Sequence, residues 1–258
     1  VKDYDQDAYI MGEVWEDASN KQSYGIRRPY LLGEQLDSVM NYPWCNAIIS
    51  FVCSGNAEAF YTSVMTILDH YPIPAIATMM NPLSTHDSMR VLTALGVQHD
   101  VPGAERAEYR MTQEEYRLGV ERLRLAATLQ YTLPGYPSLY YGDEIGMYGF
   151  SDPWNRRTFT WDKIDSGLHD FYVRLGKMRR ENSADFSQEL RFFDLDTGVI
   201  AYTRGSLLIV VNASQNDYQW PAMIQSLLFS AGNASITESG ILVSRMSAAV
   251  FRLRKEYD

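Results

Sequence analysis

Thr112-Gln113-Glu114-Glu115-Tyr116 opens a stretch that runs on to Leu133-Pro134-Gly135 and then to Ser138-Leu139-Tyr140-Tyr141-Gly142-Asp143-Glu144. Thr112 with Glu115 three residues on makes a capping box, and Tyr116, Val120, Leu123, Ala127 and Tyr131 recur at helical spacing, so the pattern predicts a helix. Pro134-Gly135 punctuates it. Ser138 to Glu144 then reads as a strand that delivers two acids at its end.

The same order of strand, polar loop and helix repeats upstream. Ala8 to Val14 reads as a buried strand, Asn20 to Tyr30 as a loop, and Ser38 to Tyr42 as a second short strand. Pro43 suits the first turn of a helix through Trp44 to Val52, and a further helix is predicted from Ala57 to His70. Pro72 and Pro74 precede an apolar run, Ala75 to Met80, read as a third strand, which leads into Asn81-Pro82-Leu83-Ser84-Thr85-His86-Asp87. Ser166 is placed to cap a helix through Arg180. Repeated units of this kind spell a parallel α/β arrangement. From about Ser183 the texture changes to short strand-like runs separated by turns such as Asp196-Thr197-Gly198: Arg191 to Phe193, Val199 to Thr203, Leu207 to Asn212, Ile241 to Val243 and Ala248 to Leu253. The expected organisation is an α/β unit over 1–182 and a small antiparallel β domain over 183–258.

Composition narrows the partners. The 258 residues are 46% apolar and 13% aromatic, ample for a buried core. A net charge of −9 with no offsetting basic block argues against nucleic acid and against an anionic membrane surface. No stretch approaches the roughly 20 consecutive apolar residues of a membrane span, and no leader is visible, so a cytoplasmic location is expected. Cys45 and Cys53 lack His or Cys neighbours at metal-ligand spacing and are expected to be buried reduced thiols. The tripeptides Asn212-Ala213-Ser214 and Asn233-Ala234-Ser235 fit the glycosylation acceptor pattern, with chance as the better reading. The chain begins with Val1 rather than Met and enters a strand almost at once, which predicts a fragment.

Chemistry gathers at the predicted strand ends. Tyr9-Ile10-Met11-Gly12-Glu13-Val14-Trp15 closes an apolar run with a carboxylate and a Trp, a protonatable group beside a flat surface on which a pyranose can stack. His86 with Asp87, and Asp143 with Glu144, end two other strands. C-terminal strand ends converge on one face of a barrel or open parallel sheet, where such folds place their sites.

Four ordered segments carry a resemblance: Met11-Gly12-Glu13-Val14-Trp15, Asp37-Ser38-Val39-Met40-Asn41-Tyr42-Pro43, Thr85-His86-Asp87-Ser88-Met89-Arg90, and Leu133 through Met147, continuing by Asp152-Pro153-Trp154-Asn155-Arg156 to Trp161-Asp162. The chain resembles the second half of an α-amylase superfamily enzyme, nearest the neopullulanase, cyclomaltodextrinase and maltogenic amylase group. The resemblance implies about four βα units, the C-terminal half of a TIM (β/α)8 barrel, followed by a small antiparallel β-sandwich.

It also implies roles. Glu13 is similar to the general acid/base, which needs a carboxyl held protonated near neutral pH by an apolar surrounding. Asp87 is similar to the acid that binds sugar hydroxyls and stabilises an oxocarbenium-like transition state, and His86 to the residue that hydrogen-bonds the same sugar. Asp152 and Arg156 resemble a loop pair gripping sugar on the non-reducing side, and Trp15 a stacking residue on the leaving-group side. Arg90 is expected to orient Asp87 or cap a helix, and Asp143 and Glu144 to support the site structurally. The family's nucleophilic Asp lies in a Gly-x-Arg-x-Asp pattern on the preceding strand, and nothing here matches it; Asp3, Asp5 and Asp7 lack its context. No cofactor or metal is expected in this chain, the family's metal loops, including any for calcium, falling outside it.

The implied function is a fragment of a retaining α-glucosidic-bond hydrolase acting on α-1,4-linked glucans, maltodextrins, cyclodextrins or pullulan, inactive by itself. The alternatives are a non-catalytic carbohydrate-binding or assembly subunit, and a transglycosylase of the same superfamily. The expected partner is an α-glucan oligosaccharide, with self-association through open half-barrel edges.

Overall fold

The computed structural model describes residues 1–193 and 195–254. Four very short strands run parallel in sequence order. Met11–Gly12 pairs with Ser38–Val39, a bridge joins Met40 to Met80, and Met80–Pro82 pairs with Tyr136–Ser138. Among the described residues, no helix is long and apolar enough to cross a membrane.

The helices between them are set by local chemistry. Asn41 caps Tyr42–Ser54 by accepting from the Trp44 N–H, Pro43 sits in the first turn where its missing N–H costs nothing, and Gly55 ends the helix in the left-handed region at φ 72. Asn56 caps Ala57–His70 in the same way. The Thr112–Glu115 capping box is present and starts the helix Gln113–Thr132. Asp165, rather than Ser166, caps Ser166–Glu181 through the Leu168 N–H. Gly135 has φ +90, and a Cβ there would stand 2.5 Å from the Met79 carbonyl oxygen. Only glycine lets the chain turn so closely from helix into the last parallel strand.

Several boundaries differ from the sequence reading. Ala75 to Met80 is not one strand: Ile73–Ala77 is a helix, because Pro72 and Pro74 favour a helical first turn, and the strand is Met80–Pro82. Ser138 to Glu144 is not a strand either. Tyr136–Ser138 pairs, and Asp143–Ile145 forms a 3-10 turn between two left-handed glycines, Gly142 and Gly146. The first strand is only Met11–Gly12, and the Asn20–Tyr30 loop holds a small hairpin of Gln22–Ser23 with Ile26–Arg27.

Two antiparallel sheets follow. The larger has the order Ile224–Ala231, Ser247–Leu253, Leu207–Asn212, Val199–Arg204, Leu190–Phe192; the smaller has Tyr218–Trp220, Gly240–Val243, Ala234–Thr237. Side chains alternate across the larger sheet. Ile200, Tyr202, Leu207, Ile209, Val211 and Val250 join the core formed with the helices, while Val199, Ala201, Leu208, Val210, Ala249 and Phe251 face a second apolar layer closed by Ile241 and Val243. Burial on both faces explains why Leu207 to Asn212 reads as a continuous apolar run.

The larger sheet is tied to the helical layer by polar contacts. Arg204 donates to the Thr132, Phe186 and Gln188 carbonyls, Arg179 to those of Tyr131 and Gly135, and the Tyr202 and Thr132 hydroxyls meet at 2.5 Å. Both guanidiniums thus satisfy orphan carbonyls at the end of the helix Gln113–Thr132. Cys45 is buried and Cys53 half-buried, both free, and burial pushes the Cys45 thiol up to about 12. Asn212 is wholly buried, its carboxamide donating to Asn216, Val243 and Ser244 carbonyls, so the first acceptor tripeptide is a structural turn.

Candidate active site

The C-terminal ends of the four parallel strands bring most of the sequence-predicted residues to one rim. Glu13 follows the first strand, Tyr42 the second, Thr85-His86-Asp87 the third, and the loop carrying Asp152 and Arg156 lies beyond the fourth. Ligating atoms of Glu13, His86 and Asp87 all lie within 4.8 Å of one another. The trio can therefore close on one small hydroxylated group or one cation. The Arg156 guanidinium, 2.8 Å from Asp87 Oδ1, opposes a cation there and favours a neutral, hydroxyl-bearing ligand.

Glu13 is exposed, and its partner is Tyr42, whose hydroxyl donates to Oε1 at 2.7 Å. The apolar enclosure expected around this carboxyl is not supplied by the described residues. Tyr42 also reaches Thr85 Oγ1 at 3.3 Å. Burial, then the nearby charges of Glu13 and Asp87, hold its phenol well above the usual range, so it remains a donor at neutral pH. Trp15 lies on the Tyr42 ring with centroids 4.0 Å apart and planes at 15°, and is 46% exposed. One indole face is thus occupied by tyrosine, and open area remains for a ligand.

Asp87 is gripped from both sides. His86 Nε2 stands 3.3 Å from Oδ2, and Arg156 Nη2 binds Oδ1. Arg156 also holds Asp152 at 3.1 Å and donates from Nε to the His86 carbonyl at 2.8 Å. Arg156 is therefore paired with both Asp152 and Asp87, all three exposed enough to meet a ligand.

Arg90 does not touch Asp87, and its side chain makes no capping bond. It is fully buried and binds Asp143 at 3.2 Å. It also donates to the carbonyls of Asn155 and Tyr141 and sits 4.7 Å from the ring centroids of both Tyr140 and Tyr141. Burial pushes the Asp143 carboxyl up to about 7, against the opposing pull of Ser84 and Arg90. Sequence reasoning missed Tyr42 and Asn155. Tyr42 carried a signal, since it closes a strand whose end faces Glu13; Asn155 carried none, being one polar residue in a turn. A cavity of about 910 Å³ lined by Ile73, Tyr136, Arg179 and Phe186 lies at the opposite ends of the strands and shares no residue with the rim.

Residues 1–196 match the Alpha-amylase family model, described as alpha amylase, catalytic domain. The amylopullulanase of Thermoanaerobacter thermohydrosulfuricus is 38% identical over 202 residues, covering 74% of this chain and 12% of its own length. The cyclomaltodextrinase of a Bacillus sp is 33% identical over 222 residues, covering 82% of this chain and 34% of its own. Among solved structures, the debranching enzyme from Nostoc punctiforme superposes with a TM-score of 0.77 at 22% identity, over 97% of this chain and 53% of that one, a likeness of fold. The chain thus spans about a third or less of these two relatives and about half of that structure.

Proposed function

This chain belongs to the alpha-amylase family, and from that premise we propose that it carries the acid side of a retaining hydrolase of α-1,4-linked glucans. Glu13 protonates the leaving glycosidic oxygen, Asp87 and His86 bind the sugar being cleaved and stabilise its developing positive charge, Asp152 and Arg156 hold the non-reducing side, and Trp15 stacks on the leaving side. The observation that carries this reading is the convergence of Glu13, His86 and Asp87 within 4.8 Å. An inverting pair needs its carboxyls about 6.5–9.5 Å apart to seat a water. The nearest oxygens of Glu13 and Asp87 are too close for that, which speaks against an inverting pair, and the reading of a separate nucleophile rests on the family resemblance rather than on this distance.

That nucleophile would stand on a neighbouring parallel strand before Met11–Gly12, and no Gly-x-Arg-x-Asp pattern occurs in the 258 residues. We read the four parallel strands as half of a (β/α)8 barrel and residues 183–258 as a β-sandwich attached to it. The chain by itself is accordingly inactive. Purified and incubated with maltotriose, cyclodextrin or pullulan, it releases no reducing sugar; turnover above buffer would overturn the assignment of a missing nucleophile. Binding of maltotriose without turnover is the result that a carbohydrate-binding subunit would also give. An active longer polypeptide separates the two, and its products distinguish hydrolysis from glycosyl transfer.

Open edges at Met11–Gly12 and Tyr136–Ser138, with Tyr9, Met11, Ile73 and Tyr136 exposed beside them, support self-association of the isolated chain. Sedimentation at tens of micromolar is expected to show a species larger than 29.5 kDa, and a sharp monomer counts against it.

A further inference from the structure

Asn155 is 0% exposed and sits in the 3-10 turn Trp154–Arg156. Its Nδ2 faces three backbone carbonyls of one turn: His86 and Ser88 at 2.7 Å each, and Thr85 at 3.3 Å. A carboxamide has two N–H groups, so His86 and Ser88 take one each and Thr85 shares. The reverse orientation would put Oδ1 against three carbonyl oxygens, so the contacts themselves fix which way the amide points. The Asn155 backbone carbonyl accepts from Arg90 Nε at 2.9 Å, and Arg90 is in turn held by Asp143.

We propose that Asn155 is a positioning residue for Asp87, the middle member of a buried relay that runs Asp143, Arg90, Asn155, then the 85–88 turn. This rests on the reading of Asp87 as a sugar-binding carboxylate. The relay fixes the backbone on both sides of Asp87, while Arg156, the next residue along, grips the His86 carbonyl and the Asp87 carboxylate from the solvent side. One turn is thus clamped by a buried neutral donor and an exposed cation from adjacent residues. The neutral donor suits its place, because a second guanidinium there would compete with Arg156 for the Asp87 charge and would be costly to bury.

The test compares the chain with Asn155→Asp and Asn155→Gln, by amide hydrogen exchange and by maltotriose titration. Asn155→Asp keeps the shape but replaces two donors with an acceptor, and leaves buried carbonyls of the turn without their donor. Amides of residues 85–88 should then exchange about tenfold faster or more, with those of Gln113–Thr132 unchanged, and maltotriose affinity should fall by about the same factor. Asn155→Gln, which keeps the donors, should recover part of both. Unchanged exchange at 85–88, acceleration spread equally into Gln113–Thr132, or faster local exchange with undiminished affinity overturns the proposal. If Asn155→Asp does not fold, Asn155→Gln is judged on the same pattern. A parent chain that fails to bind maltotriose counts against the hydrolase reading alone, and the exchange pattern, read without ligand, still decides the relay.

Discussion

Replacing Arg90 by leucine lowers the unfolding free energy by about 3–5 kcal/mol at pH 8, the range for breaking a buried ion pair from one side. The guanidinium is wholly buried, and its loss strips donors from the Asn155 and Tyr141 carbonyls and removes the cation between the Tyr140 and Tyr141 rings. The cost depends on pH through Asp143. Its carboxyl is pushed up to about 7 in the folded chain, above its unfolded value, so the folded state holds the extra proton. The stabilisation it brings is present at low pH and is lost as pH rises towards 7. Without Arg90 the carboxyl is harder still to ionise, so the penalty of Arg90→Leu grows between pH 5 and pH 8. Urea denaturation at the two pH values measures this. A penalty that is equal at both, or larger at pH 5, would show that Asp143 is not the group coupled to Arg90.

The second large effect is chemical. In a polypeptide that contains this chain and cleaves maltotriose, Glu13→Gln should lower kcat by about 10²–10⁴-fold while leaving KM close to its parent value. Glutamine still offers an oxygen to the Tyr42 hydroxyl, which donates to Glu13 at 2.7 Å, so the geometry survives while the proton is lost. A glucoside whose leaving group is 2,4-dinitrophenolate departs without protonation and should lose far less in kcat/KM, which reports the step that expels the leaving group. Equal losses of kcat/KM on both substrates would remove Glu13 from the acid role.

Much of this rim could be read from the amino acids. Glu13, His86, Asp87, Asp152 and Arg156 were expected together, and the structure gathers them because each follows a parallel strand. Thr112 with Glu115 announced the longest helix because a capping box is local chemistry, independent of the rest of the fold. The strands were harder to bound. Only two or three residues of each make ladder hydrogen bonds, so apolar runs such as Ala75 to Met80 extend past them into helix. The turn at Asp143–Ile145 needs left-handed glycines on either side, and Gly142 and Gly146 were visible, yet the aromatic run before them looked like strand. In the antiparallel region Ile224–Ala231 went unread: it pairs with Ser247–Leu253 through two register irregularities that break its alternation. The direct partner of Arg90 was not legible, because Asp143 is distant in sequence and no local pattern links them. Asn155 is silent for the same reason, since its three acceptors lie near residue 86.

The pair of arginines at the end of the helix Gln113–Thr132 bears on how such chains can be recombined. Arg179 comes from the helical layer, but Arg204 and Tyr202 come from the antiparallel sheet, and they reach the same final turn. The change of sequence texture near Asn182 is therefore not a line along which modules can be exchanged freely. A foreign sheet grafted there would have to bring its own guanidinium and hydroxyl to those carbonyls, or leave the helix feeding the last parallel strand without an anchor.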